Sequence, residues 1–350
     1  MLTFITTLFT ITGFNAKCDD NICQRWEERR GTCPEDCKEN KETGRNGFQL
    51  VRGDHDFSIE HDGLERTYSV HAPASYNKKT PLPVVLVLHG GYGNAKYAEK
   101  QTWMSKTADK HGFIIIYPEA LIGSYNPEAK LKYQHWNGGP RVDPKKSQNV
   151  DDVGFISAML DKLERDFSVD SKRIYVAGIS NGGTMAYRLA CQLSDRIAAI
   201  APVATNQLSI KCNPNRPVSI IHIHGEQDIF VPFKGGIGPK LPDNWKPVDT
   251  TISKWAKRNA CQRKMETEKS GHAACTTYTS CEDDSEVTLC IVRKHGHTWP
   301  GKGVYMGSNA CKFNSNGFLC KRLKKAVGRR NYDFPINDIV WEFFKKHPMK

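Results

Sequence analysis

The chain has 350 residues, of which 39% are hydrophobic and 25% are charged. This composition is typical of a globular protein with a sizeable core, and it excludes a disordered chain and a collagen-like rod. The 50 Lys and Arg residues outnumber the 38 Asp and Glu residues, which gives a net charge of +12.

The excess of cations does not by itself indicate nucleic-acid binding. The cations are scattered except for one cluster at residues 321–330, and no nucleic-acid recognition motif accompanies them. A solvated loop is the simplest interpretation of this cluster, and docking onto an acidic polymer is the alternative. We therefore expect no nucleic-acid partner. We also expect no membrane partner, because no internal apolar run approaches the ~18 residues of a membrane span.

The N-terminal segment indicates export. Residues 1–16 are almost wholly apolar or small, as in a secretory signal peptide. Residues 17–45 hold four cysteines, which predict a small Cys-rich module held by two disulfides. Zinc is the rival interpretation, but the spacings are uneven and no Cys-x-x-Cys pair occurs. We expect a secreted protein whose main domain spans residues 46–350.

The remaining eight cysteines fit an oxidising compartment. Eight cysteines allow 105 pairings, so the sequence does not determine the connectivity. Two candidate pairs are Cys311 with Cys320, which would close a loop, and Cys261 with Cys281.

From about residue 57 the chain alternates between apolar strands and amphipathic helices. Near-continuous apolar runs occupy residues 84–88, 113–117, 174–177, 198–203 and 219–223, as in parallel strands covered on both faces. Helical spacing separates or follows them at residues 95–111, 151–167, 181–193, 249–258 and 338–346, and Asp151 and Asp152 are expected to cap the second of these helices. This order predicts an α/β fold with a doubly wound, mostly parallel sheet.

One short motif between a strand and a helix carries nucleophile chemistry. The sequence Gly-Ile-Ser-Asn-Gly at residues 178–182 follows the predicted strand and opens the next helix. A turn this sharp requires glycines, and it exposes the hydroxyl of Ser180 above the sheet. We therefore predict that Ser180 is a nucleophile.

A serine nucleophile needs a base and an acid, which follow it in the order acid then histidine in this fold. Asp228 lies just after the strand at residues 219–223, and His297 lies in a Gly- and Pro-rich loop after the last predicted strand. We predict that Asp228 orients His297. Their rivals are Glu226, Asp243 and Asp249 for the acid and His295 for the base.

The loop at residues 89–93, His-Gly-Gly-Tyr-Gly, supplies the remaining element. Its glycines allow a backbone N–H to face the substrate carbonyl, so Gly91 and the amide of Asn181 are expected to form an oxyanion hole.

Several of these motifs resemble the polyhydroxybutyrate depolymerase and feruloyl esterase family. They are residues 68–73, 89–91, 136–137, 150–156, 178–183, 297–301 and 340–344. The resemblance covers residues 55–348, and it implies an α/β-hydrolase fold and a secreted serine esterase in which Ser180, Asp228 and His297 are catalytic. It further implies feruloyl esters of plant-wall polysaccharide, acetyl esters or polyhydroxyalkanoate as substrates. The sequence departs from the family at Lys294-His295 and in a basic, Cys-bearing insertion at residues 302–330.

Three further interpretations remain open. The His-x-His pairs at 222/224 and 295/297 could bind a metal, although the esterase chemistry requires neither a metal nor a cofactor. A binding protein that lost catalysis and a lipase are the alternatives to an esterase. Tyr92, Trp136 and Trp299 are candidate substrate-binding residues, because aromatic side chains exposed on loops can stack on a ring; ordinary packing is the alternative for both tryptophans. We expect a monomer that acts on a polymer-linked ester.

Overall fold

A computed structural model of the chain describes residues 52–126, 131–139, 150–208, 210–237, 244–270, 273–301, 321 and 327–350. The chain divides into two units, Met1–Phe48 and Gln49–Lys350, and all described residues belong to the second. The predicted signal peptide at 1–16 and the Cys-rich module at 17–45 lie outside the described residues, as does most of the insertion at 302–330.

The strands alternate with helices along most of the chain. The strands are β1 (Gly53–His61), β2 (Leu64–Ala72), β3 (Leu82–Leu88), β4 (Ile114–Pro118), β5 (Ile122–Asn126), β6 (Leu131–Gln134), β7 (Val169–Ile179), β8 (Ala199–Val203), β9 (Ser219–Gly225), β10 (Gly236–Ile237), β11 (Asn244–Trp245), β12 (Arg263–Ser270), β13 (Ala273–Thr279) and β14 (Val287–Val292). The helices are α1 (Ala95–Thr102), α2 (Met104–His111), α3 (Asp152–Asp166), α4 (Asn181–Gln192), α5 (Val248–Arg258) and α6 (Ile336–Lys346).

Ten strands form one sheet in the order β1-β2-β4-β3-β7-β8-β9-β14-β13-β12. Its six central strands are parallel, whereas β1 and β2 at one edge and β13 and β12 at the other are antiparallel. The prediction of a doubly wound, mostly parallel α/β sheet is therefore confirmed. Since the carboxyl ends of parallel strands meet at one edge, the loops after β3, β7, β9 and β14 open on the same side.

The core forms where the apolar runs predict it. The side chains of β3, β4, β7, β8 and β9 in these runs are buried, and the helices α1, α2 and α6 join them in one apolar cluster. Helix α6 docks through ring stacking, with Trp341 against Phe113 at 4.3 Å and Phe344 against Tyr175 at 4.6 Å between ring centroids. Each such side chain stabilises the fold by roughly 1.5–3 kcal/mol on burial.

The helix predicted over residues 95–111 is divided in two. Trp103 adopts a left-handed backbone with φ 56°, and its N–H caps α1 by donating to the carbonyl of Glu99. The next residue begins α2. The periodicity of the two segments is continuous enough to hide this break, so the prediction of a single helix is wrong at this point.

Three disulfides lie in the second half of the described chain. They join Cys191 to Cys212, Cys261 to Cys281 and Cys275 to Cys290. The suggested pair Cys261–Cys281 is confirmed, whereas Cys311 and Cys320 lie outside the described residues. None of the helices in the described ranges has the length and apolar character that would let it span a bilayer.

Candidate active site

Ser180 occupies a strained turn between β7 and α4. Its backbone has φ 54° and ψ −120°, a conformation that costs about 1–3 kcal/mol for a residue with a side chain. Gly178 and Gly182 make the turn possible, because a Cβ at either position would lie within 2.5 Å of a backbone oxygen. The two glycines of the motif are therefore a steric requirement for presenting the serine.

Ser180, His297 and Asp228 form a continuous hydrogen-bonded row. Nε2 of His297 lies 3.0 Å from Oγ of Ser180, and Nδ1 lies 2.7 Å from Oδ2 of Asp228. The three residues follow β7, β14 and β9, so they meet at the carboxyl edge of the sheet. Because a carboxylate only accepts, Nδ1 carries the proton and Nε2 is left to accept the serine proton. The arrangement can generate a serine nucleophile.

The rival acids occupy other places. Glu226 accepts a hydrogen bond from the backbone N–H of Lys294 at 3.1 Å, and Asp249 lies exposed in the first turn of α5. Asp243 lies outside the described residues. Of the three rivals, neither of the two described here contacts His297, so Asp228 remains the candidate.

Asp228 is held as a buried anion. Its Oδ1 accepts hydrogen bonds from the backbone N–H groups of Phe230 and Val231, each at 2.9 Å. Burial raises the pKa of Asp228, but the charge and hydrogen bond of His297, with contributions from His224 and Val231, outweigh it and hold the pKa below its usual value. The carboxylate therefore stays ionised where it can stabilise an imidazolium.

A buried column of neutral histidines lies behind Asp228. Nε2 of His224 donates to the carbonyl of Val231 at 2.9 Å, so its Nδ1 must accept from Nε2 of His222 at 3.1 Å. Nδ1 of His222 in turn accepts from the hydroxyl of Tyr187 at 2.7 Å. Burial lowers the pKa of both histidines. These hydrogen bonds occupy both ring nitrogens of His222 and of His224. No ring nitrogen of the pair is left to bind a metal, which argues against the metal site considered for these two residues.

Both ring nitrogens of His295 also form hydrogen bonds to the backbone. Its Nε2 donates to the carbonyl of Thr298 at 2.9 Å, and its Nδ1 accepts from the N–H of Asn331 at 2.8 Å. Burial lowers the pKa of His295 to about 4, so the ring is neutral at pH 7. His295 therefore shapes the loop that carries His297, and it does not compete with His297 for the role of base.

The glycine loop after β3 lies beside the serine. A Cβ at Gly91 would lie 3.9 Å from Cβ of Asn181, and one at Gly90 would lie 3.6 Å from Cβ of Ser180. Within the ranges that the structure describes, no acceptor is bonded to the backbone N–H of Gly91 or of Asn181. The geometry is thus compatible with the oxyanion hole expected from the sequence, with Asn181 at the N-terminus of α4.

His89 fixes the shape of this loop. Its Nδ1 donates to the carbonyl of Gly90 at 2.8 Å, and its Nε2 accepts from the N–H of Ala120 at 3.1 Å. Burial lowers the pKa of His89 to about 4, so the ring is a neutral brace. The carbonyl of His89 accepts from the indole N–H of Trp136 at 3.1 Å, which ties the next loop to it.

The side chain of Asn181 has a role that the sequence did not reveal. Its Oδ1 accepts from the backbone N–H of Trp136 at 2.7 Å, and its Nδ2 donates to the carbonyl of the same residue at 2.9 Å. This reciprocal pair anchors residues 135–138 beside the start of α4. The neighbouring N–H of Asn137 donates to Oδ2 of Asp152 at 2.7 Å.

Asp152 was expected to cap α3, and this prediction is wrong. Asp151 is the cap and accepts from the N–H of Gly154, as expected, whereas Asp152 forms a fully buried pair with Arg66 at 2.6 Å. Burial raises the pKa of Asp152, and Arg66 opposes that rise. The one signal in the sequence is the alternation of β2, which places Arg66 on the same buried face as Tyr68 and Val70, where a charge needs a partner.

The candidate substrate-binding aromatics fall into two groups. Trp136 and Trp299 are 1% and 0% exposed, and the indole of Trp299 donates to Oδ1 of Asn337 at 3.0 Å. The expectation that these two rings are exposed on loops is therefore wrong, and both are packed in the interior. Tyr92 lies within the glycine loop at residues 89–93 and is 67% exposed, so it remains a candidate for substrate contact.

Comparisons with known proteins agree with this architecture. A sequence model of the Dienelactone hydrolase family matches residues 70–246. Feruloyl esterase B of Piromyces equi is 30% identical over 240 residues, which cover 66% of this chain and 42% of that protein. A putative esterase, NocK, of Nocardia uniformis subsp. tsuyamanensis is 29% identical over 258 residues, which cover 68% of this chain and 72% of that protein.

The fold recurs among solved structures. The acetyl xylan esterase from Aspergillus awamori matches with a TM-score of 0.50 and 13% identity over 74% of this chain and 98% of that one, which supports a shared fold. The resemblance drawn from the motifs is confirmed by the feruloyl esterase relative, although this chain spans only about two fifths of that protein. With half of its length matched by one family model, the chain belongs to the dienelactone hydrolase family.

Proposed function

We propose that the protein is a serine ester hydrolase acting through an acyl-enzyme. The observation that supports this most directly is the hydrogen-bonded row from Oγ of Ser180 through His297 to the buried carboxylate of Asp228. The hydrogen bond to the carboxylate of Asp228 orients the ring so that Nε2 of His297 faces Oγ of Ser180, as the reaction requires.

In the first half of the reaction, Oγ of Ser180 bonds to the acyl carbon while Nε2 of His297 takes the hydroxyl proton. The N–H groups of Gly91 and Asn181 bind the oxyanion, each worth about 3 kcal/mol of transition-state stabilisation. His297 then returns the proton to the leaving alkoxide. Asp228 holds the ring and stabilises its cation throughout.

In the second half, water attacks the acyl-enzyme as His297 accepts its proton. Collapse of this intermediate releases the carboxylic acid, and the proton returns to Oγ of Ser180. Every proton transfer uses the same nitrogen, so the cycle requires neither a cofactor nor a metal.

The substrate that the observations favour is a hydroxycinnamoyl ester, such as a feruloyl ester, linked to a plant-wall polysaccharide. The name of the relative from Piromyces equi supports this class. Acetylated xylan and polyhydroxybutyrate are the alternatives. Export is supported by three disulfides, which persist in oxidising compartments. We propose a monomer.

The test is kcat/KM on methyl ferulate, p-nitrophenyl acetate and a hydroxybutyrate oligomer. We expect preference for methyl ferulate, and a loss of about 10⁴-fold or more in Ser180→Ala, because the nucleophile is removed while the fold is kept. Ser58→Ala, an exposed serine of β1, is the matched control and should retain full activity. A folded Ser180→Ala variant that still turns over would refute the mechanism, and preference for the oligomer would replace the substrate class.

A further inference from the structure

Almost all of the net charge of the protein comes from one stretch of the chain. Residues 287–332 contain ten Lys and Arg and no Asp or Glu, so the other 304 residues carry 40 cations against 38 anions. The positive charge is thus local, and the rest of the chain is close to neutral. The stretch includes His297.

Part of this stretch lines a pocket of about 400 Å³. Its walls include Arg293, Lys294, Arg329 and Arg330 together with Tyr332, whose ring is 60% exposed. The guanidinium of Arg330 lies 5.6 Å from the centre of this ring. The volume falls within the ~300–1,000 Å³ of small-ligand sites, and the lining combines charge with one flat apolar surface.

Three of the four cations that line the pocket have no ion-pair partner among the described residues. Arg293, Lys294 and Arg329 are exposed, and none of them is ion-paired with any residue that the structure describes. One carboxylate, that of Asp333, also lines the pocket without pairing with these cations. Residues 302–326, which lie almost wholly outside the described ranges, contain no Asp or Glu that could pair with them.

The pocket is built on the same loop pair as the candidate base. Arg293 and Lys294 directly precede residues 295–297, and the N–H of Gly296 donates to the carbonyl of Arg329 at 2.8 Å. The N–H of His297 donates to the carbonyl of Val327 at 2.6 Å. A ligand in this pocket would therefore lie on the backbone that holds His297.

We infer that this pocket is a subsite for a carboxylate-bearing sugar unit of an acidic polysaccharide that carries the ester. The inference rests on the proposed function and narrows its substrate. Guanidinium groups bind carboxylates in a bidentate manner, and the ring of Tyr332 offers a face for the apolar side of a sugar. Nucleic acids fit less well, because their backbone linkages are phosphodiesters and not carboxylic esters.

The test measures binding of polygalacturonate to the full chain carrying Ser180→Ala. We expect binding that weakens steeply from about 50 mM to about 500 mM NaCl, because exposed charges are screened by salt. Adding Arg293→Gln and Lys294→Gln should weaken it by roughly tenfold, and Arg329→Gln should act in the same direction. The matched control is Lys78→Gln with Lys79→Gln, two adjacent exposed lysines of another loop, which should change it less than about twofold.

Three results would overturn the inference. They are equal binding of polygalacturonate whose carboxyl groups have been reduced, an equal loss in both double variants, and tighter binding of a single-stranded oligonucleotide of matched charge. Turnover of p-nitrophenyl acetate by the unmodified protein is measured in parallel. Its absence would contradict the proposed esterase activity, whereas the binding series reports on the pocket alone.

Discussion

Replacing Asp228 by Asn is the most informative single change, because the structure determines how the new amide must point. Oδ1 accepts two backbone N–H groups, from Phe230 and Val231, so an NH₂ group cannot occupy that place. The amide oxygen therefore takes the position of Oδ1, and Nδ2 takes that of Oδ2, 2.7 Å from Nδ1 of His297. Nδ2 then donates to Nδ1, which forces the ring proton onto Nε2.

In the altered tautomer, the ring of His297 stays in place but can no longer act as a base towards Ser180. Nε2 would present a proton to Oγ of Ser180 across the same 3.0 Å, so it could not accept the hydroxyl proton. We expect kcat to fall by about 10⁴-fold, or about 5 kcal/mol of activation free energy. KM should change little, because Asp228 is placed to contact His297 and not the substrate.

The assay is steady-state hydrolysis of p-nitrophenyl acetate at pH 7, with circular dichroism to verify folding. Asp249→Asn, which changes an exposed carboxylate in the first turn of α5, is the matched control and should retain activity within about twofold. A folded Asp228→Asn enzyme with kcat within about tenfold of the unmodified protein would refute the tautomer argument.

Three further changes test how the fold is held. Asp152→Ala should lower the free energy of unfolding by about 3–5 kcal/mol in urea titrations, since it leaves Arg66 charged and buried; a cost below about 1 kcal/mol would contradict this. His71→Gln tests a second contact. Burial lowers the pKa of His71, but its hydrogen bonds to the carboxylates of Asp54 and Asp109 outweigh the burial and raise the pKa above 6.5. The contribution of His71 to the free energy of unfolding is therefore full below pH 6.5 and is lost as the pH rises through the raised pKa. His71→Gln should lower the free energy of unfolding at pH 5.5 and change it little at pH 9. Equal losses at both pH values would contradict the assignment. Replacing Cys275 and Cys290 by Ala opens a 15-residue loop and should cost about 3 kcal/mol, as checked by thermal melts without reductant.

Most features that were predicted correctly from the sequence are determined by residues close together along the chain. The turn around Ser180 is local, because the glycines at 178 and 182 and the flanking strand and helix all lie within a few residues. The hydrogen-bonded row that joins Ser180 to His297 and Asp228 is the exception, because it spans distant positions and was expected only from the chain order typical of this fold. Central strands were found because burial on both faces leaves near-continuous apolar runs.

The side-chain contacts that were not predicted join residues that lie far apart along the chain. Asp152 meets Arg66 across 86 positions, and the indole of Trp136 reaches the carbonyl of His89 across 47, so neither pairing leaves a local pattern. Trp136 therefore looked like an exposed loop aromatic when it is an interior one. The hairpin of β12 and β13 was missed because β12 is largely polar.

The distribution of disulfides has a consequence for the chain after proteolytic damage. Every disulfide among the described residues joins two positions between 191 and 290. One backbone cut inside residues 192–211 or 262–280 would leave both new ends covalently attached, whereas no disulfide among the described residues spans the turn at 77–80. A single band on a denaturing non-reducing gel would thus not show that the backbone is intact in these two segments, and the same sample has to be run with reductant to reveal a cut there.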